Sequence, residues 1–177
     1  MAQKKVLFII AFDGFQQTEY SVPRKLLLNA GYDIVTASNK PGAAVAKDGS
    51  SVQVNITLQE VDVHDYSGIV FIGGPGTLEN IDIPESYKIA QEAFEAGIPI
   101  GSICISTRIL AHSGILNGKR ATGWNGDKML GELYKQEGVL FVENEPVVVD
   151  GTVVTATGPA VAESFGNAIL TLLKSTQ

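Results

Sequence analysis

Continuous apolar runs alternate along the chain with stretches whose apolar positions recur every three or four residues. Residues 5–12 (KVLFIIAF) form the first run. A β-rich run of this kind predicts a central parallel strand covered on both faces. Asp13-Gly14 is expected to end it. Val22, Leu26, Leu27 and Ala30 then fall at helical spacing, and Gly31 closes that helix. Residues 32–38 (YDIVTAS) predict the next strand. Strand, helix and strand within about 35 residues make a βαβ unit.

Residues 43–57 break the rhythm. Asp48-Gly49 lies between two alternating runs there and predicts an inserted β-hairpin. Residues 67–72 return to a buried strand, followed by Gly73-Gly74-Pro75-Gly76. Pro84 opens a helix predicted over 84–96, and Gly97 caps it. Residues 98–103 read as another buried strand, Cys104 follows, and 107–113 read as helix. Beyond these come a short strand at 120–122 and a helix over 127–136 with Asp127 as N-cap. Strands follow at 139–142, 147–150 and 152–155, the last two joined at Asp150-Gly151, and a final helix covers 160–173.

No repeat, low-complexity tract or linker interrupts this order, which predicts one domain over residues 1–177. The fold expected is α/β: a flavodoxin-like, doubly wound, mostly parallel sheet with helices on both faces and an inserted β-hairpin. Sites in such sheets form beyond the C-terminal ends of the strands. That rule singles out segments 12–19, 73–77 and 103–107.

Composition narrows the function classes. The formal net charge is −6 and no basic run exceeds two residues. Nucleic acid is therefore not an expected partner, because its phosphates need Lys and Arg. No segment reaches the ~18 apolar residues of a membrane span, and the first run is too short for a signal peptide with its cleavage site. Cys104 is the only cysteine, so an internal disulfide is ruled out and a reducing, cytoplasmic setting is expected. One Cys and two isolated His do not make a tetrahedral metal shell, so no metal is expected.

Cys104 sits where a buried strand turns into a helix. Unpaired N–H groups at a helix start stabilise a thiolate and lower its pKa. The same turn carries nucleophilic Ser in other α/β enzymes. Here Ser106 replaces the usual Gly two places on, so the elbow is imperfect. A lone cysteine is otherwise read as a buried structural residue; its place at this turn favours the nucleophile. The glycine loop in FIGGPGTLEN lacks Walker spacing and the Walker Lys. Beside Cys104 its N–H groups would suit an oxyanion, with the Gly74 amide as first donor and the Ile105 amide as second. Glu19 opens the first helix on the same sheet edge. Sequence leaves two readings open for it: a dipole-favoured surface Glu, or a buried carboxyl near the sulfur. Ionised, it would raise the thiol pKa; protonated, it would donate to a thiolate.

The segments AFDGFQQTEYSVPRKLLLNAGYDIVTAS, DYSGIVFIGGPGTLEN, IPIGSICISTRILAHSGILNGKRATGW and VVTATGPAVAESFGNAIL together resemble the ThiJ/PfpI superfamily, in register over nearly the whole chain. The resemblance implies a flavodoxin-like fold, a homodimer or higher homo-oligomer, and no cofactor. It implies that Cys104 is the reactive, oxidisable cysteine, Glu19 its partner carboxyl, and Gly74 the oxyanion-loop glycine. From the family pattern, Phe15, Ile105, Arg108 and Trp124 are the substrate-lining candidates. Arg108 would hold an anionic group, although a helix-surface charge is the favoured reading.

One departure matters. Many relatives carry His directly after the cysteine, where this chain has Ile105; another branch takes a His from a position that here is Trp124. His112 lies about 12 Å along the following helix, and His64 sits near the opposite end of the sheet, about 20 Å away. A Cys–His dyad for peptide hydrolysis therefore has no evident base. The expected function is cysteine-dependent chemistry on a small electrophile, a reactive carbonyl or its adduct, of glyoxalase or deglycase type. The alternative is a redox-responsive stress protein or chaperone in which an oxidant acts on Cys104; an intracellular cysteine peptidase ranks below both.

Overall fold

Val6, Leu7, Phe8 and Ile9 are fully buried, as a strand covered on both sides requires. They belong to β1 (Lys5–Ile9) of a computed structural model that describes residues 4–176. Met1, Ala2, Gln3 and Gln177, the two ends of the expected 1–177 domain, lie outside the described residues. The strand stops three residues short of the expected Phe12. Ile10 still donates its N–H to Ala37, but the Phe12 N–H turns to the Asn39 side chain. Asp13-Gly14 does not end the β structure either. It starts β2 (Asp13–Phe15), which bends at Gly14, with φ +80°, into a separate small sheet.

The chain continues through α1 (Gln17–Asn29), β3 (Asp33–Ser38), β4 (Ala43–Ala46), β5 (Ser51–Gln53) and β6 (Ile56–Thr57). The inserted hairpin is β4–β5, antiparallel around Asp48-Gly49. It is shorter than expected, because β6 leaves it to pair with β3 at the edge of the main sheet. Then come β7 (Gly68–Phe71), α2 (Thr77–Asn80), α3 (Pro84–Glu95), β8 (Ile100–Ile103), α4 (Thr107–His112) and β9 (Arg120–Ala121). The last elements are α5 (Leu130–Gln136), β10 (Leu140–Phe141), β11 (Val147–Asp150), β12 (Val153–Ala156) and α6 (Ala162–Ser175).

The seven-stranded main sheet runs β11-β12-β8-β7-β1-β3-β6 and is parallel except for β11. Alternation along β1 divides the core. Val6 and Phe8 pack with Tyr20 and Leu27 of α1 and Phe165 and Ile169 of α6. Leu7 and Ile9 pack with Ile89 of α3, Leu110 of α4 and Leu130 of α5 on the other face. This is the doubly wound, flavodoxin-like arrangement. Strand order reverses at β1, whose neighbours are β3 on one side and β7 on the other. A crevice forms at such a switch point beyond the strand ends.

One helix boundary differs from expectation for a reason that bears on the site. α5 begins at Leu130, not at 127. Lys128 adopts φ +61°, which breaks the helical path; Asn125 Oδ1 accepts the Leu130 N–H, while Asp127 Oδ1 accepts the Met129 N–H at 3.1 Å just ahead of the helix. Asp127 is also engaged elsewhere, as described below. No helix among the described residues is long and apolar enough to cross a membrane.

Candidate active site

Cys104 is held in a left-handed backbone conformation, φ +64°. Only it and Lys128, among the non-glycine described residues, have positive φ. A side-chain-bearing residue adopts this region at a cost, and such strain persists only where surroundings impose it. Two sets of contacts impose it here. The Cys104 carbonyl accepts the Thr107 hydroxyl at 3.0 Å and the Trp124 N–H at 3.2 Å. Below it, Ser106 is fully buried. Its Oγ accepts the Ile103 N–H and lies 2.7 Å from the Ile103 carbonyl, 2.9 Å from the Phe71 carbonyl and 2.8 Å from Ser102 Oγ. The hydroxyl that made the elbow look imperfect thus ties β8 to β7 beneath the sulfur.

The thiol is partly exposed. It opens on a cavity of about 280 Å³ lined by Gln16, Glu19, Lys47, Gly74, Pro75, Cys104, Ile105, Trp124 and Pro159. Segments 12–19, 73–77 and 103–107 therefore meet at one place. Glu19 is fully buried, in the first turn of α1. Its Oε2 accepts the Gly73 N–H at 2.9 Å, while the Gly73 carbonyl accepts the Gln16 N–H at 2.7 Å. The other oxygen, Oε1, is buried without a well-formed hydrogen bond. The carboxyl and the Cys104 thiol nonetheless perturb each other's titration. Of the two sequence readings of Glu19, the buried carboxyl is the one observed.

Burial raises the Glu19 pKa to about 8, against the opposing pull of the Cys104 and Gly73 hydrogen bonds. At neutral pH the carboxyl is therefore protonated. Burial, then the Glu19 charge, push the Cys104 thiol up to about 12; the Ile105 N–H and the Arg108 charge pull the other way. The expected depression of the thiol pKa is thus overturned in the resting site, because desolvation outweighs the turn's N–H groups. Protonation of Glu19 removes its repulsion, so the two titrations belong to the pair.

The Gly74 N–H has no acceptor among the described residues, and Gly74 lines the cavity. The Ile105 N–H is close enough to Cys104 to pull the thiol pKa down, and Ile105 lines the cavity beside Gly74. Trp124, 37% exposed, walls the cavity. Two other candidates are placed differently. Phe15 is fully buried and packs edge-on against Tyr20 at 5.6 Å; it belongs to the core and not to the lining. Arg108 is neither a helix-surface charge nor a free anion holder. It is 6% exposed, its Nη2 lies 2.7 and 2.9 Å from the two Asp127 carboxylate oxygens, and its guanidinium stacks 5.8 Å from the Trp124 ring.

Gln16 and Pro75 line the cavity within the segments singled out from sequence, though neither was a candidate there; Lys47 and Pro159 line it from outside those segments. Pro159 follows the end of β12, so the strand-end rule covers it. Lys47, beside the hairpin turn, carries no local signal. Neither histidine lines the cavity; His112 Nδ1 lies 3.0 Å from both Asp82 oxygens. Among the described residues no group of three or more His, Cys, Asp or Glu side chains is placed to hold a metal ion.

A cysteine on a constrained strand-to-helix turn, with a buried acid nearby beyond the C-terminal ends of a parallel sheet, resembles in position the elbow of other α/β proteins. The chain belongs to the DJ-1/PfpI family, whose sequence profile matches residues 4–172. It is similar to a deglycase of Pyrococcus horikoshii, 33% identical over 173 residues that cover 96% of this chain and 99% of the relative. A deglycase of Pyrococcus abyssi is 32% identical over 171 residues, covering 95% and 99%. The crystal structure of a ThiJ/PfpI domain protein from Brachyspira murdochii matches with a TM-score of 0.92 at 26% identity, covering 99% of each chain.

Proposed function

We propose that the chain is a cysteine-dependent enzyme acting on small reactive carbonyls or their adducts, of the glyoxalase or deglycase type. The observation that carries this reading is Cys104, constrained at φ +64° at the mouth of a small cavity, with the buried Glu19 carboxyl beside its sulfur. Two relatives named deglycases support it. In the first step Sγ bonds to the carbonyl carbon and the C=O π bond opens. Glu19 gives its proton to the nascent alkoxide and takes the thiol proton in return, so the hemithioacetal forms without net charge. The unpartnered Gly74 N–H would stabilise the charge that develops on oxygen, and the Ile105 N–H stabilises the sulfur as it loses its proton. A single group that is protonated near neutrality thereby takes on both roles that a Cys–His pair would divide.

Turnover of methylglyoxal by the wild type and by Cys104→Ser tests the reading. Loss of at least a hundredfold is expected, and equal rates would remove it. Peptide hydrolysis is disfavoured, since neither His64 nor His112 lines the cavity. A second reading has one observation in its favour: the Ile105 N–H and the Glu19 carboxyl both perturb the Cys104 thiol, a setting that would also suit an oxidised thiol. Intact-mass measurement after graded peroxide separates a redox sensor from an enzyme whose thiol stays reduced. We further propose a homodimer or higher homo-oligomer, for which exposed Met129 and Leu140 provide apolar surface; light scattering reads its mass.

A further inference from the structure

Among the described residues lining the cysteine cavity, Lys47 is the one basic side chain. Glu19, the other ionisable lining group besides the thiol, is protonated at neutral pH, because burial raises its pKa to about 8. Arg108 adds no free charge, since Asp127 holds it from below the Trp124 wall. Lys47 is exposed, and its backbone N–H donates to the Phe15 carbonyl at 2.8 Å, which ties the hairpin turn to the strand leading into α1. Its ammonium has no ion-pair partner among the described residues. The adjacent Asp48 does not take it, because Asp48 Oδ1 accepts both the N–H and the hydroxyl of Ser50.

A second donor stands in the same lining. Gln16 caps α1 by accepting the Thr18 N–H on Oε1 at 2.8 Å. That bond fixes the orientation of the amide and leaves Nε2 without an acceptor among the described residues. The cavity lining thus includes a lysine without an ion-pair partner and a glutamine whose Nε2 has no acceptor, beside the N-terminal end of a thirteen-residue helix, where the dipole also favours negative charge.

We propose that Lys47 is the specificity-determining residue of this site, and that the electrophile it takes is a small carbonyl compound bearing a carboxylate, a 2-oxo acid of the glyoxylate type. The proposal rests on the cysteine-enzyme reading above and names its substrate class. The carboxylate sits against Lys47 and Gln16, and the carbonyl carbon meets Cys104 Sγ. The S–C bond forms, the C=O π bond opens, and the thiol proton ends on oxygen through Glu19; nothing is oxidised or reduced.

The test compares alkylation of Cys104 by iodoacetate and by iodoacetamide, reagents of similar size that differ by one negative charge. In each, the S–C bond forms, iodide leaves and the thiol proton goes to solvent. Any change in thiol ionisation affects both reagents alike and cancels in the ratio of rates. The ratio of iodoacetate to iodoacetamide is expected to fall by about three- to tenfold in Lys47→Gln, and further in Lys47→Glu. Lys88→Gln, at an exposed i,i+4 pair with Glu92 outside the cavity, should keep the wild-type ratio. Glyoxylate should protect wild-type Cys104 at lower concentration than glyoxal, with the order lost in Lys47→Gln. A ratio or a protection order unchanged in both Lys47 variants overturns the proposal and leaves the cysteine reading intact. A thiol inert to both reagents in the folded protein, yet alkylated after denaturation, overturns the two together.

Discussion

The Gly73 N–H donates to Glu19 Oε2 at 2.9 Å, so the residue that opens the glycine loop also anchors the acid beside the thiol. A Cβ at Gly73 would lie 2.7 Å from Cys104 Cβ, 2.7 Å from Glu19 Oε2 and 2.8 Å from the Ile103 carbonyl. Glycine is needed here for space between the sulfur and the carboxyl.

Gly73→Ala should therefore drive Glu19 and Cys104 apart. Overpacking of this kind costs about 1–3 kcal/mol, measurable by urea unfolding. The functional loss should exceed what stability explains: at a temperature where the variant is fully folded, methylglyoxal turnover should fall at least tenfold. Wild-type turnover in a folded Gly73→Ala would show that the Glu19–Cys104 contact has no part in the reaction.

Glu19 should also make stability depend on pH in a definite direction. Burial lifts its pKa from the ordinary 4.5 of a solvated glutamate to about 8. Between these values the unfolded chain has lost the proton that the native state keeps. Stability contributed by the neutral carboxyl is thus complete below about pH 4.5 and declines as pH rises toward 8. Each unit of raised pKa corresponds to about 1.4 kcal/mol. Glu19→Gln, which keeps the shape and cannot ionise, should be less pH-sensitive than wild type between pH 5 and 8 and should gain on it in Tm as pH rises. Parallel Tm profiles for the two proteins would show that Glu19 is ionised in the native state.

The fold was legible because β1, β7 and β8 are buried on both faces and read as unbroken apolar runs, with Gly or Pro at the helix ends. The cysteine turn, the glycine loop and Glu19 were legible because the strand-end rule collects them on one edge. Other features were invisible for physical reasons. Gly14 looked like a strand terminator, but a glycine with φ +80° equally turns a chain into a second sheet. Asp127 looked like a helix cap because caps and ion-pair partners draw on the same residue types; only the fold brings it to Arg108, nineteen positions away. Phe15 matched the family pattern by position, yet side-chain direction after Gly14 sends it into the core. Lys47 reaches the cavity only through the parallel pairing of β2 with β4, a contact with no local signature.

Arg108 should tune the thiol at a distance. Its charge lowers the Cys104 pKa, and its stacking supports Trp124. Arg108→Met should move the pH dependence of Cys104 alkylation upward, by less than about one unit since the Arg108 charge is the smallest of the influences on the thiol. Asp127→Asn, which leaves Arg108 less neutralised, should move it downward. Shifts of opposite sign identify an electrostatic effect. Two upward shifts of similar size would instead point to collapse of the wall formed by Trp124.

Ser106 provides the sharpest test of how the elbow is held. Its hydroxyl is fully buried among the Ile103 N–H, the Ile103 and Phe71 carbonyls and Ser102 Oγ. Ser106→Ala removes that group and leaves buried polar atoms without their partner, at a cost of about 1–3 kcal/mol. Because the same contacts lie beneath the strained Cys104 backbone, the loss should be local as well as global. Amide hydrogen exchange at residues 103–107 should quicken by more than the change in overall stability accounts for, and the rate of Cys104 alkylation should change with it. The Ser102→Ala variant removes one neighbour of the hydroxyl but spares both carbonyls, so it should be milder in each respect. If Ser106→Ala matched wild type in exchange and alkylation, the left-handed conformation of Cys104 would have to be maintained from above, by the Thr107 and Trp124 bonds to its carbonyl alone.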